Sequence, residues 1–435
     1  MADRDQRISQ FYSDVATGTM TRRQIITGGF ALGLSLTALA PLVSQAQDAT
    51  PVAPVSPAAA GPVMVPIVGR EMTFDEIKAA IAEEGEVTVG NWTYTATDAL
   101  VKRFQDYVKA VYDEDITLNY LGTQNPGTYL ADLYTSVAAG DPAPHDVLAI
   151  EENYWAEVQL EASNQGVKLL EDYLPSGLIP NAGRVMESLK HEPTSIGFQA
   201  SATPGINYNS DTVDFLTDWK DLADERLQGK LLLWLPGSIT SDGMLLGMCA
   251  SLGLDYKNPD HITQTIDFIV DEVGPNAVKY TEDFAEAQAL FSSGAVDVVT
   301  FWNSLARLQY LDDQENAAFL VAASGQYAVN GYMFIPVQPR HPVLAQIFID
   351  WRLSDDAQFP DLESWGITEG NWAEFHEGFM GESYEGLVPE WIQDVYFNYF
   401  PTSEQLSTNY LSVDWDFYAQ NASIWHDYWN QRLGL

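Results

Sequence analysis

The order of apolar and polar positions lays out a fold before composition is counted. Val87 to Val89 reads as a strand, and Leu100, Phe104, Tyr107, Val108 and Val111 then recur at helical spacing. "ITLNYLG" returns to period two through Ile116, Leu118 and Tyr120. Tyr129, Leu130, Leu133, Tyr134 and Val137 are helical again, and "DVLAI" (Asp146 to Ile150) is a short strand. A helix from about Tyr154 follows. This β-α-β-α-β order predicts a mostly parallel sheet covered on both faces. The alternation restarts with "KLLLWL" (Lys230 to Leu235) as a strand, "PGSITSDG" as a loop and "MLLGMCASLG" as a helix. A helix around Phe284 to Phe291 is stopped by "SSG", and "AVDVVTF" (Ala295 to Phe301) is another strand. "YMFIP" and "HPVLAQIFIDWRL" repeat strand and helix once more. Two α/β lobes follow. Open sheets of this kind take ligands off the carboxyl ends of their strands, which is where Trp92 and Tyr94 fall, either as cleft lining or as core.

The first 70 residues are patterned differently. "TRRQIITGGFALGLSLTALA" sets Arg22 and Arg23 before an apolar run from Ile25 to Ala40, and "SQA" (Ser44 to Ala46) offers a small–x–small cleavage site. Residues 1–46 resemble a twin-arginine export signal, which implies the periplasm or the outer face of the cytoplasmic membrane. The run is shorter than the ~20 residues a membrane span prefers. No cysteine follows it to carry a lipid. Residues 47–70 are mostly Pro, Ala and Val, the composition of an extended tether, so the mature fold is expected to begin near Met72.

Composition narrows the function. A length of 435 residues suits two lobes plus a leader. A formal charge of −40 argues against nucleic acid, whose phosphates demand Lys and Arg. It is compatible with a cationic ligand, or simply with a soluble protein in an extracytoplasmic setting. Cys249 is the sole cysteine, so no intrachain disulfide can form, and its apolar surroundings mark a small core residue. The chain lacks H-E-x-x-H, G-x-S-x-G, P-loop and clustered-cysteine motifs, and no two of its six histidines sit four apart. A binding protein with no cofactor, no metal and no catalysis is the expectation, with a secreted enzyme as the remote alternative.

Six stretches in a fixed order carry a family resemblance. They are "NWTYT", "YLADLYTSVAAGDPAPHDVLAI", "PGINYNSDTV", "TDWKDLADERLQGKLLLWLP", "AQALFSSGAVDVVTFWNSLA" and "YMFIPVQPRHPVLAQIFIDWRLSDDAQ". From about Gly85 to Leu433 the chain resembles the extracellular solute-binding proteins of ABC importers, in their spermidine/putrescine-binding branch. The resemblance implies a two-lobed periplasmic-binding-protein-like fold, each lobe a mostly parallel sheet flanked by helices, with a ligand cleft between lobes. It implies lobe 1 from residues 71–201 plus 330–375 and lobe 2 from 202–329 plus 376–435. The crossings would fall near Ala200 to Thr203 and Ala328 to Gly331. It also implies a monomer that closes on a small solute by a hinge motion and docks on a membrane permease.

Carried onto this chain, the family's cleft aromatics fall on Trp92, Tyr94 and Trp302, with Trp415 a further candidate near the C-terminus. Such rings hold the methylenes and ammonium groups of a linear amine. The family's hinge-strand acid meets Asn330 and Gly331 here, and its acidic pair meets "GSITSDG", leaving Asp242. Glu151 and Glu152 stand after the third strand, where they either anchor a cation or open a helix. Asp414 and Asp416 lie near the family's C-terminal ligand residue. Ser238, Thr240 and Ser241 are either helix caps or hydroxyls for an anion, so an oxyanion or carboxylate solute is the rival to a polyamine. Ferric iron, the third class, lacks an adjacent tyrosine pair.

Overall fold

Strand and helix alternate along the chain much as the hydrophobic periods demand. In the computed structural model the described residues are 56–92, 98–123, 126–185, 187–202, 204–303, 305–306, 314, 316–327, 329–354, 357 and 408–435. They open with an antiparallel pair, β1 (Val63–Val65) and β2 (Arg70–Met72). Then come α1 (Phe74–Glu84), β3 (Glu86–Trp92), α2 (Asp98–Tyr112), β4 (Thr117–Thr123), α3 (Gly127–Ala139), β5 (Val147–Glu151) and α4 (Glu152–Gln165). A short β6 (Lys190–His191) precedes β7 (Ser195–Ala202) and β8 (Pro204–Asn209). Next are β9 (Leu231–Trp234), α5 (Ile239–Ser251), α6 (Pro259–Phe268), β10 (Ala277–Thr281), α7 (Phe284–Ser292) and β11 (Val298–Trp302). The last are β12 (Ala317–Leu320), β13 (Gln326–Tyr327), β14 (Val329–Phe334), α8 (Pro342–Arg352), β15 (Tyr410–Leu411) and α9 (Trp415–Leu433).

The chain divides into two compact units. Unit 1 is Met1–Leu148, Glu171–Ile196 and Ile335–Phe397; unit 2 is Ala149–Leu170, Gly197–Phe334 and Asn398–Leu435. In unit 1, β3 runs parallel to β4 on one side (Val89 opposite Tyr120) and to the start of β5 on the other (Gly90 opposite Leu148). Within unit 1 this gives the strand order β4-β3-β5, and a short antiparallel pairing joins β6 to the start of β7. Ile77 and Ile81 of α1 are fully buried, and α8 presses Phe348 and Trp351 onto Phe104 at ring-centroid distances of 5.2 Å each.

Unit 2 is built on a five-stranded sheet of order β10-β9-β11-β8-β12, parallel through β10, β9 and β11 and antiparallel at β8. Its core gathers Ile206, Leu231, Leu245, Trp219, Trp425 and Trp429. Helix α5 is buried almost all the way round. Two of its glycines permit that, because a Cβ at Gly247 would lie 2.3 Å from the Trp219 ring and one at Gly243 2.3 Å from Pro204. Gly247→Ala is therefore expected to destabilise the protein by about 1–3 kcal/mol through overpacking. Gly183→Ala, with nothing within 4 Å, is its near-neutral control. Urea unfolding of the two variants checks this; equal midpoints would show that α5 can shift to accept the methyl.

Four expectations differ from the observed structure. Residues 56–72 are not a bare tether: Val65 and Met72 are buried, and the Gly177 N–H donates to the Met64 carbonyl. Pro and Ala lower the apparent order of this stretch, but its apolar side chains find a surface. The loop assigned to "PGSITSDG" ends at Ser238, since α5 starts at Ile239 and its glycines serve close packing rather than a turn. Helix α4 starts at Glu152, two residues earlier than Tyr154. Residues 149–170 fall in unit 2, where α4 packs on α9 and β14, and the passages between units fall at 196/197 and 334/335. No helix among the described residues is long and apolar enough to cross a membrane.

Candidate functional site

Unit 1 positions Trp92 through the end of β3. Asn91, 1% exposed, donates to the Tyr120 hydroxyl at 2.6 Å and accepts the Trp92 N–H at 2.7 Å. The Tyr129 hydroxyl closes the arrangement by donating to the carbonyls of Asn91 and Leu121. Gly90 lets this end of the strand pack tightly, since a Cβ there would meet Leu148 at 2.8 Å. Trp92 is thus a half-buried ring on a rigid strand end. Tyr94 lies outside the described residues. A separate recess of about 380 Å³, lined by Ala80, Glu83, Glu84, Arg340 and His341, sits at the start of α8 and holds none of the expected ligand residues.

The α8 start is itself an electrostatic construction. The Glu84 carboxylate accepts the backbone N–H groups of Val343 and Leu344 at 3.0 and 2.8 Å, which suits a helix N-terminus. Asp146 accepts the His341 N–H at 2.9 Å, meets the His341 Nδ1 at 2.8 Å and accepts the Thr88 N–H at 2.8 Å. Burial carries the Glu84 carboxyl up to about 7, against the opposing pull of those two N–H groups.

In unit 2, β5 delivers its acids to the start of α4. All five residues of β5 are buried, and Glu151 and Glu152 are only 9% and 6% exposed. Both ways of reading them have support here. Glu151 occupies the N-cap without a side-chain capping bond, while the Glu152 carboxyl acts electrostatically on the Tyr332 hydroxyl of β14. Burial and then the Glu152 charge push that phenol well above its ordinary value. Tyr332 was legible only as an apolar strand residue. Trp302 ends β11 opposite Pro204, half-buried, its backbone held by Asn207, whose amide donates to the neighbouring Phe301 carbonyl at 3.0 Å.

The remaining candidates separate. Trp415, 7% exposed, packs against Tyr418 at 5.4 Å in the unit 2 core, and Asp416 is exposed in the first turn of α9. Asp414 caps α9 and pairs with Lys257. Asp242 is completely buried; it accepts the Tyr418 hydroxyl at 2.6 Å and meets His426 Nε2 at 2.9 Å from each oxygen. Ser241 donates to the Ser238 carbonyl at 2.7 Å and receives the Ser238 N–H, so its hydroxyl works within the α5 cap. Tyr418 and His426 share a face of α9, eight residues apart, and that spacing was the available signal for them. Among the described residues no group of three His, Cys, Asp or Glu could hold a metal ion.

The family model of the bacterial extracellular solute-binding proteins matches residues 91–359, more than half of the chain. No curated protein sequence matches. Among solved structures, the spermidine/putrescine ABC transporter substrate-binding protein PotD of Streptococcus pneumoniae superposes with a TM-score of 0.56 at 17% identity, covering 79% of this chain and 99% of that one. The PotD lipoprotein of Treponema pallidum gives 0.57 at 19% identity, covering 80% and 99%. A binding protein of A. tumefaciens R10 in complex with agropinic acid gives 0.55 at 16% identity, covering 81% and 99%. Likeness at this identity concerns the fold.

Proposed function

The chain belongs to the bacterial extracellular solute-binding protein family, and from that membership we propose that its solute is a small nitrogenous cation of the polyamine class. As a solute-binding protein it has a small molecule and an ABC permease as its partners. The observation that carries the cation reading is the pair Glu151 and Glu152, more than nine-tenths buried at the carboxyl end of a wholly buried strand. Burying a carboxylate costs several kcal/mol, and an ammonium group offsets that cost with a charge-assisted hydrogen bond. Trp302, at the end of β11 in the same unit, offers a ring face for the second part of such a solute. Trp92 offers the same kind of face on unit 1. The PotD proteins among the structural neighbours support this class, and the agropinic acid complex supports a carboxylate-bearing alternative. The paired arginines of the leader suit delivery outside the cytoplasm.

Calorimetry with putrescine and spermidine tests the reading. Glu151→Gln and Glu152→Gln are each expected to weaken binding about tenfold or more. Trp302→Ala should cost about tenfold and Trp302→Phe less, because phenylalanine keeps a ring face. If no amine binds while sulfate, phosphate or a carboxylate does, the cation reading is wrong; Ser238→Ala or Thr240→Ala would then be the costly changes.

A further inference from the structure

Behind the α4 acids lies a second layer of titratable groups that solute contact alone does not require. The Asp242 carboxylate of α5 holds His426 and Tyr418 of α9. Glu157 lies on α4 one turn after Asn153 and faces the same histidine electrostatically. Asn153 is 4% exposed, and its side-chain oxygen has no donor among the described residues. Tyr154 lies within the electrostatic reach of both Glu151 and Glu157. A chain of groups therefore leads from Asp242 through His426, Glu157 and Asn153 to the start of α4.

We propose that this cluster couples the binding of a cationic solute at Glu151 and Glu152 to release of a proton from the His426–Glu157 pair, an inference that rests on the cation reading above. The sign follows from charge. A cation arriving at the α4 start raises the local potential, which disfavours protonated His426 and favours ionised Glu157, so both respond by losing a proton. Linkage then requires affinity to rise as pH rises across the range where they titrate.

Both groups are poised for this. Burial pulls the His426 imidazole down, yet the Asp242 charge and hydrogen bond, with Asp427 and Glu157 behind, carry it above its ordinary value. Burial pushes the Glu157 carboxyl up, against the Asn153 amide and the His426 charge. Tyr154, Tyr332 and Tyr418 face the same space, but burial first and the neighbouring acids second push their phenols up, so they stay protonated.

The experiment is calorimetry of spermidine binding to the full chain between pH 5.5 and 8.5, repeated in buffers of different ionisation enthalpy. Wild type is expected to release protons on binding and to gain affinity about five- to tenfold across that range, one proton being worth at most tenfold per pH unit. His426→Gln should flatten this dependence to about twofold while keeping affinity at pH 8.5 within about twofold of wild type. Buffer-independent heats with flat affinity in wild type overturn the coupling, as does an unchanged slope in His426→Gln. Spermidine that fails to bind at any pH overturns the cation reading itself and the coupling with it, an outcome distinct from binding without proton release. The wild-type heats decide the matter even if the variant misfolds.

Discussion

Asp242→Ala is expected to lower the stability of unit 2 by about 3–5 kcal/mol, the cost of removing one partner from a buried charged group. The carboxylate is fully buried and satisfies two donors at once, the Tyr418 hydroxyl and His426 Nε2. Alanine would strand both inside unit 2, and would loosen the hold of α5 on α9. Guanidinium unfolding followed by tryptophan fluorescence reads the loss directly, since Trp415, Trp425 and Trp429 lie on α9. At pH 8.5 the solute affinity of the protein that remains folded should change little. A variant that unfolds like wild type but no longer binds would mean instead that Asp242 anchors the solute.

A second large effect belongs to unit 1 and to pH. Burial raises the Glu84 carboxyl to about 7, and raises Asp350, 5% exposed on α8, also to about 7 despite the hydrogen bonds it receives from Asn181. The unfolded chain releases these protons near pH 4, so between about 4 and 7 the folded state binds more protons than the unfolded one. Stability from these groups is complete below about pH 4 and is lost as pH rises through 7. Each shift corresponds to on the order of 3 kcal/mol. Unit 1 should therefore melt at a lower temperature at pH 8.5 than at pH 5.5. The double variant Glu84→Gln, Asp350→Asn is expected to flatten the dependence; an equally steep profile in that variant would place the titration elsewhere.

Strands and helices were legible wherever one face is buried, because burial imposes the period. β3, β4 and β5 and helices α2, α3, α7 and α8 lie where the alternation of apolar positions puts them. Residues 56–72 were not, since Pro, Ala and Val carry no period, and only the pairing of β1 with β2 gives them a place. The start of α5 was hidden by Gly243, which looks like a turn residue and serves as a contact surface against Pro204. The candidate site was partly legible. Strand-end topology marked Trp92, the place after the third strand marked Glu151 and Glu152, and Trp302 came only from the family resemblance. Asp242 could be noticed but not understood, since its partners Tyr418 and His426 lie 176 and 184 residues downstream. Nothing local in a sequence records a pairing across that distance.

The division of each unit among separate stretches of chain bears on biosynthesis. Unit 2 closes its core with Trp415, Tyr418, Trp425 and Trp429 of α9, yet its first segment, residues 149–170, leaves the ribosome some 250 residues earlier. A nascent chain that already carries β8 to β14 still lacks the helix that covers α4 and α5. Its apolar surface stays open to chaperones, proteases and other nascent chains for that whole interval. The core of unit 2 is complete only once translation has delivered α9.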